Sequence, residues 1–341
     1  MKIKATASFP GAESKSATIE LFTPCFCDRD ITEKELKDII TKLRKKDDVH
    51  PEQQFAPNGL DPLYEIKGST IKLVKLGKEF YTLDKKKYAG IETPKKYRKD
   101  ISKFEKLGTN IFTSNRNEKI DSSQVNNYTL FTKYLNEAFT RYDINSCIRK
   151  IHFLAQCYHE SGGFIDTYEG KNAVTNPSGG KDFVGRGIKQ ITHDYNYLAC
   201  YSEEQRIINE DTGKTEEKSL FDVYLNNRDE KIVNGKLKLQ GVIAYLDKYD
   251  TKHGFPENFK KTLKEFTEKL SSDLKPACVS AGFFWEHQDK QKGGLYDTAD
   301  NDDVKELTKK INGGDYGLSE RKKYTNYLKE IMQYENCKKN K

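Results

Sequence analysis

From about residue 126 onward, the apolar side chains of this 341-residue chain recur at helical spacing almost to its end. Phe131, Tyr134, Leu135 and Phe139 make one stripe, and Ile148, Ile151, Leu154, Ala155 and Tyr158 the next. Steps of three and four place such residues on one face of a helix, so this part should fold as helices packed through those faces. Asp143 or Asn145 is placed to cap the second helix, and Ser161-Gly162-Gly163 to end it. Later helices are expected near 277–287 and 304–311, with a last one from Ser319. Residues 203–240 are polar and read as an insertion.

The first third is different. Apolar and polar residues alternate over 1–24 (Ile3, Ala5, Ala7, then Ala17, Ile19, Leu21) around Pro10-Gly11, which predicts a short hairpin. Thr32 and Glu35 form a capping-box pattern opening a helix over 32–46, with Leu36, Ile39, Ile40 and Leu43 on one face. Residues 46–66 read as loop. A second hairpin is expected over 69–83, turning at Leu76-Gly77-Lys78, and a lysine-rich loop follows to about 108. The domain reading is therefore an N-terminal hairpin extension (1–24), a first helix of the main domain (25–46), an inserted β-hairpin and loop segment (47–108), and the main domain (109–337). The fold class is mainly α, with small β-hairpins and N-terminal and inserted β elements.

Composition narrows the function classes. The hydrophobic share is only 35%, but 18 Phe, 20 Tyr and one Trp supply a core that a disordered chain lacks. No apolar run reaches transmembrane length, so no membrane insertion is expected. The opening residues lack the apolar stretch of a signal peptide, so synthesis in the cytoplasm without one is the expectation. The net charge of +7 suits an anionic polymer, yet no arginine cluster or nucleic-acid motif appears, and nucleic acid is set aside. Seven cysteines stand at irregular spacing; Cys25-Phe26-Cys27 has no matching pair at zinc spacing, so neither a metal nor a cofactor is expected. Cys147 and Cys157 read as buried thiols, and one or two disulfides remain open.

Three segments could carry chemistry. Glu160 lies in the last turn before the Gly-Gly break, where the negative end of the helix dipole should raise its pKa and keep a proton for general-acid work. Glu169 follows on an extended segment, and two carboxylates facing each other across a cleft are the layout of a glycosidase; Asp166 competes for that second role. In Gly185-Arg186-Gly187, the glycines permit a close approach, and Gln190 and Thr192 should share one face of a short strand. Aromatic rings beside amides (Tyr195, Asn196, Tyr197) suit sugar, because rings stack on pyranose faces while amides bond hydroxyls.

Four motifs then line up with one family. FLAQCYHESGGF (153–164), FVGRGIKQIT (183–192) with Tyr195-Asn196-Tyr197, AGFFWE (281–286) and INGGDYGLSER (311–321) resemble, in order, the segments of family-19 glycoside hydrolases, a group of chitinases, phage endolysins and cell-wall-degrading bacterial effectors. The resemblance implies a lysozyme-like α+β fold with a cleft and an inverting hydrolysis of β-1,4 bonds between N-acetylated amino sugars. It implies Glu160 as general acid, Glu169 as the base that activates water, and Thr192 as the hydroxyl that helps hold that water. It implies sugar contacts from Gln190, Tyr195, Asn196 and Tyr168, with Asn312 and Arg321 lining the cleft and tuning the acidic pair. Tyr168, Tyr195, Tyr197 and Trp285 divide between cleft and core, Trp285 being the core member. His159, next to the acid, should point about 100° away and serve the fold. A specific acidic partner is expected for Arg321, since the first turn of a helix does not itself favour a cation.

The segment between Glu169 and Gly185 lacks the long cysteine-bearing loops of plant chitinases, which favours peptidoglycan over chitin. A non-catalytic wall-binding or injection-apparatus protein and a lytic transglycosylase are the other readings. An endolysin or antibacterial effector would act in the periplasm or outside the cell after lysis or delivery, and residues 1–24 and 47–108 would dock an injection-system carrier or an immunity protein.

Overall fold

A computed structural model describes residues 2–7, 15–20, 25–48, 64–66, 72–76, 78–82, 86–96, 109–113, 120–170, 176–213, 219–233, 236–249 and 254–339. The fold is mainly α, as the periodicity demands, with β-structure confined to small antiparallel sheets among the described residues.

β1 (Lys2–Ala7) and β2 (Lys15–Glu20) form the N-terminal hairpin, pairing from Lys2 opposite Glu20 to Ala7 opposite Lys15; the Pro-Gly turn lies outside the described residues. α1 (Glu33–Asp48) opens on the expected capping box. The Thr32 amide donates to Glu35 Oε2 at 2.9 Å, and the Glu35 amide to Thr32 Oγ1 at 3.3 Å. Leu36, Ile39, Ile40 and Leu43 are all buried.

The segment expected to hold one hairpin carries a four-stranded sheet. β4 (Lys72–Leu76) and β5 (Glu79–Thr82) make the predicted hairpin, with Leu76 opposite Glu79 across a two-residue connection. Two strands too short to show a period, β3 (Tyr64–Glu65) and β6 (Lys95–Lys96), extend it in the order β5-β4-β3-β6. Both lie in stretches that read as loop.

Two hydrophobic cores follow. The first gathers α1, α2 (Tyr128–Arg141), α3 (Cys147–Glu160), α8 (Leu274–Lys292), α9 (Leu295–Asp300), α10 (Val304–Asn312), α11 (Leu318–Ile331) and α12 (Tyr334–Lys339). The second gathers α4 (Asp194–Thr212), α5 (Leu220–Asn227), α6 (Val242–Tyr249) and α7 (Phe259–Ser272). Phe283 and Phe284, on α8, pack against both. Among the described residues, no helix is long and apolar enough to cross a membrane.

Several local expectations are corrected. α3 is capped by Ser146, whose side chain accepts from the Arg149 amide at 3.2 Å; Asp143 has φ +48° and binds Arg149 instead. Residues 203–240 are no mere insertion. α4 runs on to Thr212, Ile207 is buried, and Val223 and Tyr224 belong to the second core, while β7 (Glu230–Val233) and β8 (Lys236–Leu239) form a hairpin beyond them. The polar periphery of those helices hides their few anchoring residues from a composition count. The helix from 318 is not the last, since α12 follows it.

Candidate functional site

The site is built around the C-terminal end of α3. The helix stops where Gly162 and Gly163 take φ of +62° and +94°, and the Gly163 amide folds back to the Tyr158 carbonyl at 2.8 Å. Arg44, buried on α1, holds this turn from outside by donating through Nη2 to the Gly163 carbonyl at 2.7 Å and through Nη1 to the Asn110 carbonyl at 2.7 Å. Glu160 is thereby fixed as the final residue of α3, at the boundary of the first core.

Its carboxylate meets two cations. Lys189 Nζ donates to Glu160 Oε1 at 2.9 Å, and Arg321 Nη2 to the same oxygen at 2.8 Å. Arg321, on α11, is buried; its Nη1 donates to Gln156 Oε1 and its Nε to the Tyr316 carbonyl at 3.2 Å. The acidic partner expected for Arg321 is thus Glu160.

The protonation state of Glu160 reverses the expectation from the helix dipole. Burial does push its pKa up, but Lys189 and Arg321 together outweigh it and hold the carboxyl at about 2. A helix terminus presents about half a unit charge spread over its last carbonyls, whereas two full charges stand here within hydrogen-bond distance. In the free protein Glu160 is a carboxylate.

Lys189 reaches Glu160 because of a turn that crosses between the cores. Arg186 pairs with Ile191 in an antiparallel bridge around the turn Gly187–Gln190. Ile188 packs into the first core and Ile191 into the second. Gly187 takes φ +74°, a conformation that favours glycine, and a Cβ there would sit tightly against the Ala277 carbonyl at 3.3 Å. Gln190 takes φ +56°, so it and Thr192 lie in this turn and its exit rather than on one face of a strand. The Gln190 Nε2 donates to the Gly187 carbonyl at 2.9 Å.

Glu169 lies along the strand-like entry to this turn. Its amide donates to the Gly185 carbonyl at 3.0 Å, and the Gly185 amide donates back to Glu169 Oε2 at 3.1 Å. A Cβ on Gly185 would fall 3.0 Å from Glu169 Oε2 and 2.7 Å from Gln190 Oε1, which places the two side chains around one point. Thr192 Oγ1 donates to the Gln190 carbonyl at 3.0 Å, and Asn196 Nδ2 to the Thr192 carbonyl at 2.8 Å. Asp166 Oδ2 lies 3.9 Å from where a Cβ on Gly162 would sit.

Three amide atoms here are buried without a protein hydrogen-bond partner, Gln156 Nε2, Gln190 Oε1 and Asn196 Oδ1, and Asn312 Nδ2, at the end of α10, is buried without one as well. Groups of this kind cost free energy unless a ligand or water meets them. Gln190 and Asn196 are two of the residues expected from sequence to contact sugar, and Asn312 is one expected to line the cleft. Gln156 and Lys189 were not named. Gln156 was legible, four residues before Glu160 on the same helix face. Lys189 carried a subtler sign, a charge beside Ile188 in a short turn flanked by Ile191.

The aromatic residues divide. Tyr195 is exposed and stacks on His193 at 5.4 Å with nearly parallel rings. Tyr168 is buried, with the Arg186 guanidinium 4.9 Å from its ring centroid. Tyr197 is buried and donates to the Val184 carbonyl at 2.7 Å. Trp285 is in the first core against Phe153. His159 turns away from the cation pair toward Gly317 and Tyr324, and burial, with Arg321 nearby, lowers its pKa.

Among the described residues, the one grouping of three side chains able to share a metal ion is Cys25, Cys147 and Cys337. Cys147 opens α3 and Glu160 closes it, so this grouping is about 20 Å from the carboxylate. Against known proteins, the chain matches no protein-family model, no curated protein and no solved structure.

Proposed function

We propose that this protein is a glycoside hydrolase of β-1,4-linked N-acetyl amino sugars, with peptidoglycan as substrate and a lysozyme-like cleft between its two cores. One observation carries the reading: two glutamates, each held by different elements, meet a single turn that also carries the partnerless Gln190 Oε1. Lys189 in that turn binds Glu160, and Gly185 at its entry binds Glu169. Gln190 Oε1 and Asn196 Oδ1 are acceptors suited to sugar hydroxyl or acetamide N–H donors, and Asn312 Nδ2 and Gln156 Nε2 are the complementary donors.

In this mechanism Glu169 takes a proton from water, Thr192 helps hold that water, and the water attacks the anomeric carbon. Glu160 takes up a proton from solvent as substrate binds and gives it to the leaving oxygen, and the proton taken by Glu169 returns to solvent afterwards. The Oε1 of Glu160 is the cation-bound oxygen, so Oε2 is the one to carry the proton. Sugar covering the cleft strengthens the burial that already favours the neutral carboxyl, and withdrawal of Lys189 removes one of the two opposing charges. Arg321, tied to Gln156 and Tyr316, keeps the carboxylate in place meanwhile. The protein would serve as an endolysin or an antibacterial effector.

Purified peptidoglycan and chitin oligomers, digested by wild type, Glu160→Gln and Glu169→Gln, test this. Muropeptides with intact reducing ends, lost in both variants, support it; cleavage of chitin alone moves the substrate to N-acetylglucosamine polymers. The ionised Glu160 favours a second reading, a wall-binding protein in which the carboxylate is only structural. Binding of peptidoglycan without cleavage, unchanged in Glu160→Gln, would establish that reading in place of ours.

A further inference from the structure

Four of the seven cysteines come together at the N-terminal end of α3. The Sγ atoms of Cys25, Cys147 and Cys337 all lie within 4.8 Å of one another. Cys27 Sγ accepts from the Cys147 amide at 3.1 Å. These residues come from three separate places: the loop before α1, the first residue of α3, and α12. Cys25 and Cys337 are joined as a disulfide, and Cys27 and Cys147 are free thiols.

We propose that the reduced chain binds one zinc ion here, through the thiolates of Cys25, Cys147 and Cys337 with Cys27 as fourth ligand. Zinc prefers four ligands at about 2.3 Å in a tetrahedron, which sets the sulfurs roughly 3.8 Å apart. Three sulfurs within 4.8 Å need only small shifts to reach that spacing once the disulfide is open. The fourth, Cys27, is anchored beside Cys147 and turns its sulfur toward the ion by rotation about its own side-chain bond.

The charge around the cluster fits a thiolate site. Lys150, buried one turn into α3, donates to the carbonyls of Phe26 at 2.8 Å and Arg29 at 2.7 Å, and so fixes the Cys25–Cys27 loop with a positive charge beside it. Arg29 donates to the Cys25 carbonyl at 2.8 Å. Four thiolates on Zn²⁺ carry a net charge of minus two, which Lys150 offsets in part; Arg29 is itself paired with Glu35 at 2.8 Å. Spacing along the chain hides the site, because 312 residues separate Cys25 from Cys337.

The disulfide and the metal exclude each other, since both use Cys25 and Cys337. Opening the disulfide with a trialkylphosphine transfers two electrons to sulfur, and the phosphine takes oxygen from water while both thiols gain protons. The full-length protein, reduced in this way without air, is titrated with Cd²⁺ as a spectroscopic probe and with Zn²⁺. We expect one equivalent of Cd²⁺ to give the ultraviolet thiolate-to-cadmium band. Zn²⁺ should raise the melting temperature of the reduced chain and leave the oxidised chain unmoved. Cys147→Ser keeps the disulfide, so its oxidised form reports whether it folds; its reduced form should lose tight binding. Cys27→Ser should lose one thiolate's share of the band, and Cys157→Ser, in the core but outside the cluster, should match wild type. Stoichiometric binding unchanged in Cys147→Ser, or no binding by reduced wild type, overturns the proposal.

Discussion

Lys189 Nζ and Glu160 Oε1 stand 2.9 Å apart, the one from a turn anchored in both cores and the other from the last residue of α3. This contact and the Arg321 bond beside it keep Glu160 ionised in the free protein. Replacing Lys189 with Met should therefore raise the Glu160 carboxyl pKa well above 2, toward or past its ordinary value, because burial then opposes a single cation. Carbon-13 titration of the glutamate carboxyls measures it. A Glu160 resonance that titrates unchanged in Lys189→Met would remove Lys189 from this role.

The depressed pKa also predicts how stability depends on acid. The folded carboxyl ionises at about 2 and an ordinary one near 4.5, so the unfolded chain binds the extra proton between those limits. The stabilisation is present above pH 4.5 and is lost as pH falls toward 2. It amounts to roughly 3 kcal/mol for this one group. Trp285, the single tryptophan and buried, reports unfolding by its fluorescence. Glu160→Gln should flatten the loss of stability between pH 4.5 and 2 relative to wild type; parallel curves would contradict the assignment.

Gly185 is a test of the Glu169 side of the site. No unusual φ is required there, so Gly185→Ala strains no backbone, but its methyl would strike Gln190 Oε1 and Glu169 Oε2. We expect a small stability cost, because both atoms end flexible side chains that can turn aside. We also expect a fall in kcat of about 100-fold or more, from displacement of the base we propose. Calorimetry and kinetics on a soluble oligosaccharide separate the two. Full activity with an intact fold would place Glu169 outside the chemistry.

Arg44 holds the loop that follows Glu160. Arg44→Met removes donors from the Gly163 and Asn110 carbonyls while keeping much of the apolar stem. Leaving the buried Gly163 carbonyl unpaired costs about 1–3 kcal/mol. Denaturant unfolding should show that loss, and hydrogen exchange should quicken at Gly163 and Phe164 before it does in α2. Unaltered exchange at those amides would show that Arg44 does not hold the turn.

What could be read in advance followed from periodicity and from local chemistry. The stripes at Phe131–Phe139 and Ile148–Tyr158 became α2 and α3, and the Thr32–Glu35 box became the start of α1, because each involves neighbours within a few residues. The two-residue strands β3 and β6 were illegible for the same reason: two residues display no period. The cap of α3 was misassigned because Asp143, Asn145 and Ser146 are all good caps, and only the backbone path selects among them.

The sequence by itself determined a mainly helical chain, the end of α3 at the paired glycines, and which polar residues stand near Glu160 and Glu169 along the chain. Only the tertiary structure decided their charges and partners. Lys189 and Arg321 are 29 and 161 residues from Glu160, and Cys337 is 312 from Cys25. A pKa depends on distance in space through burial and nearby charge, and a hydrogen bond depends on contact. Neither is a function of separation along the chain, so the helix dipole, a local property, gave the wrong sign for Glu160, and two distant cations set the right one.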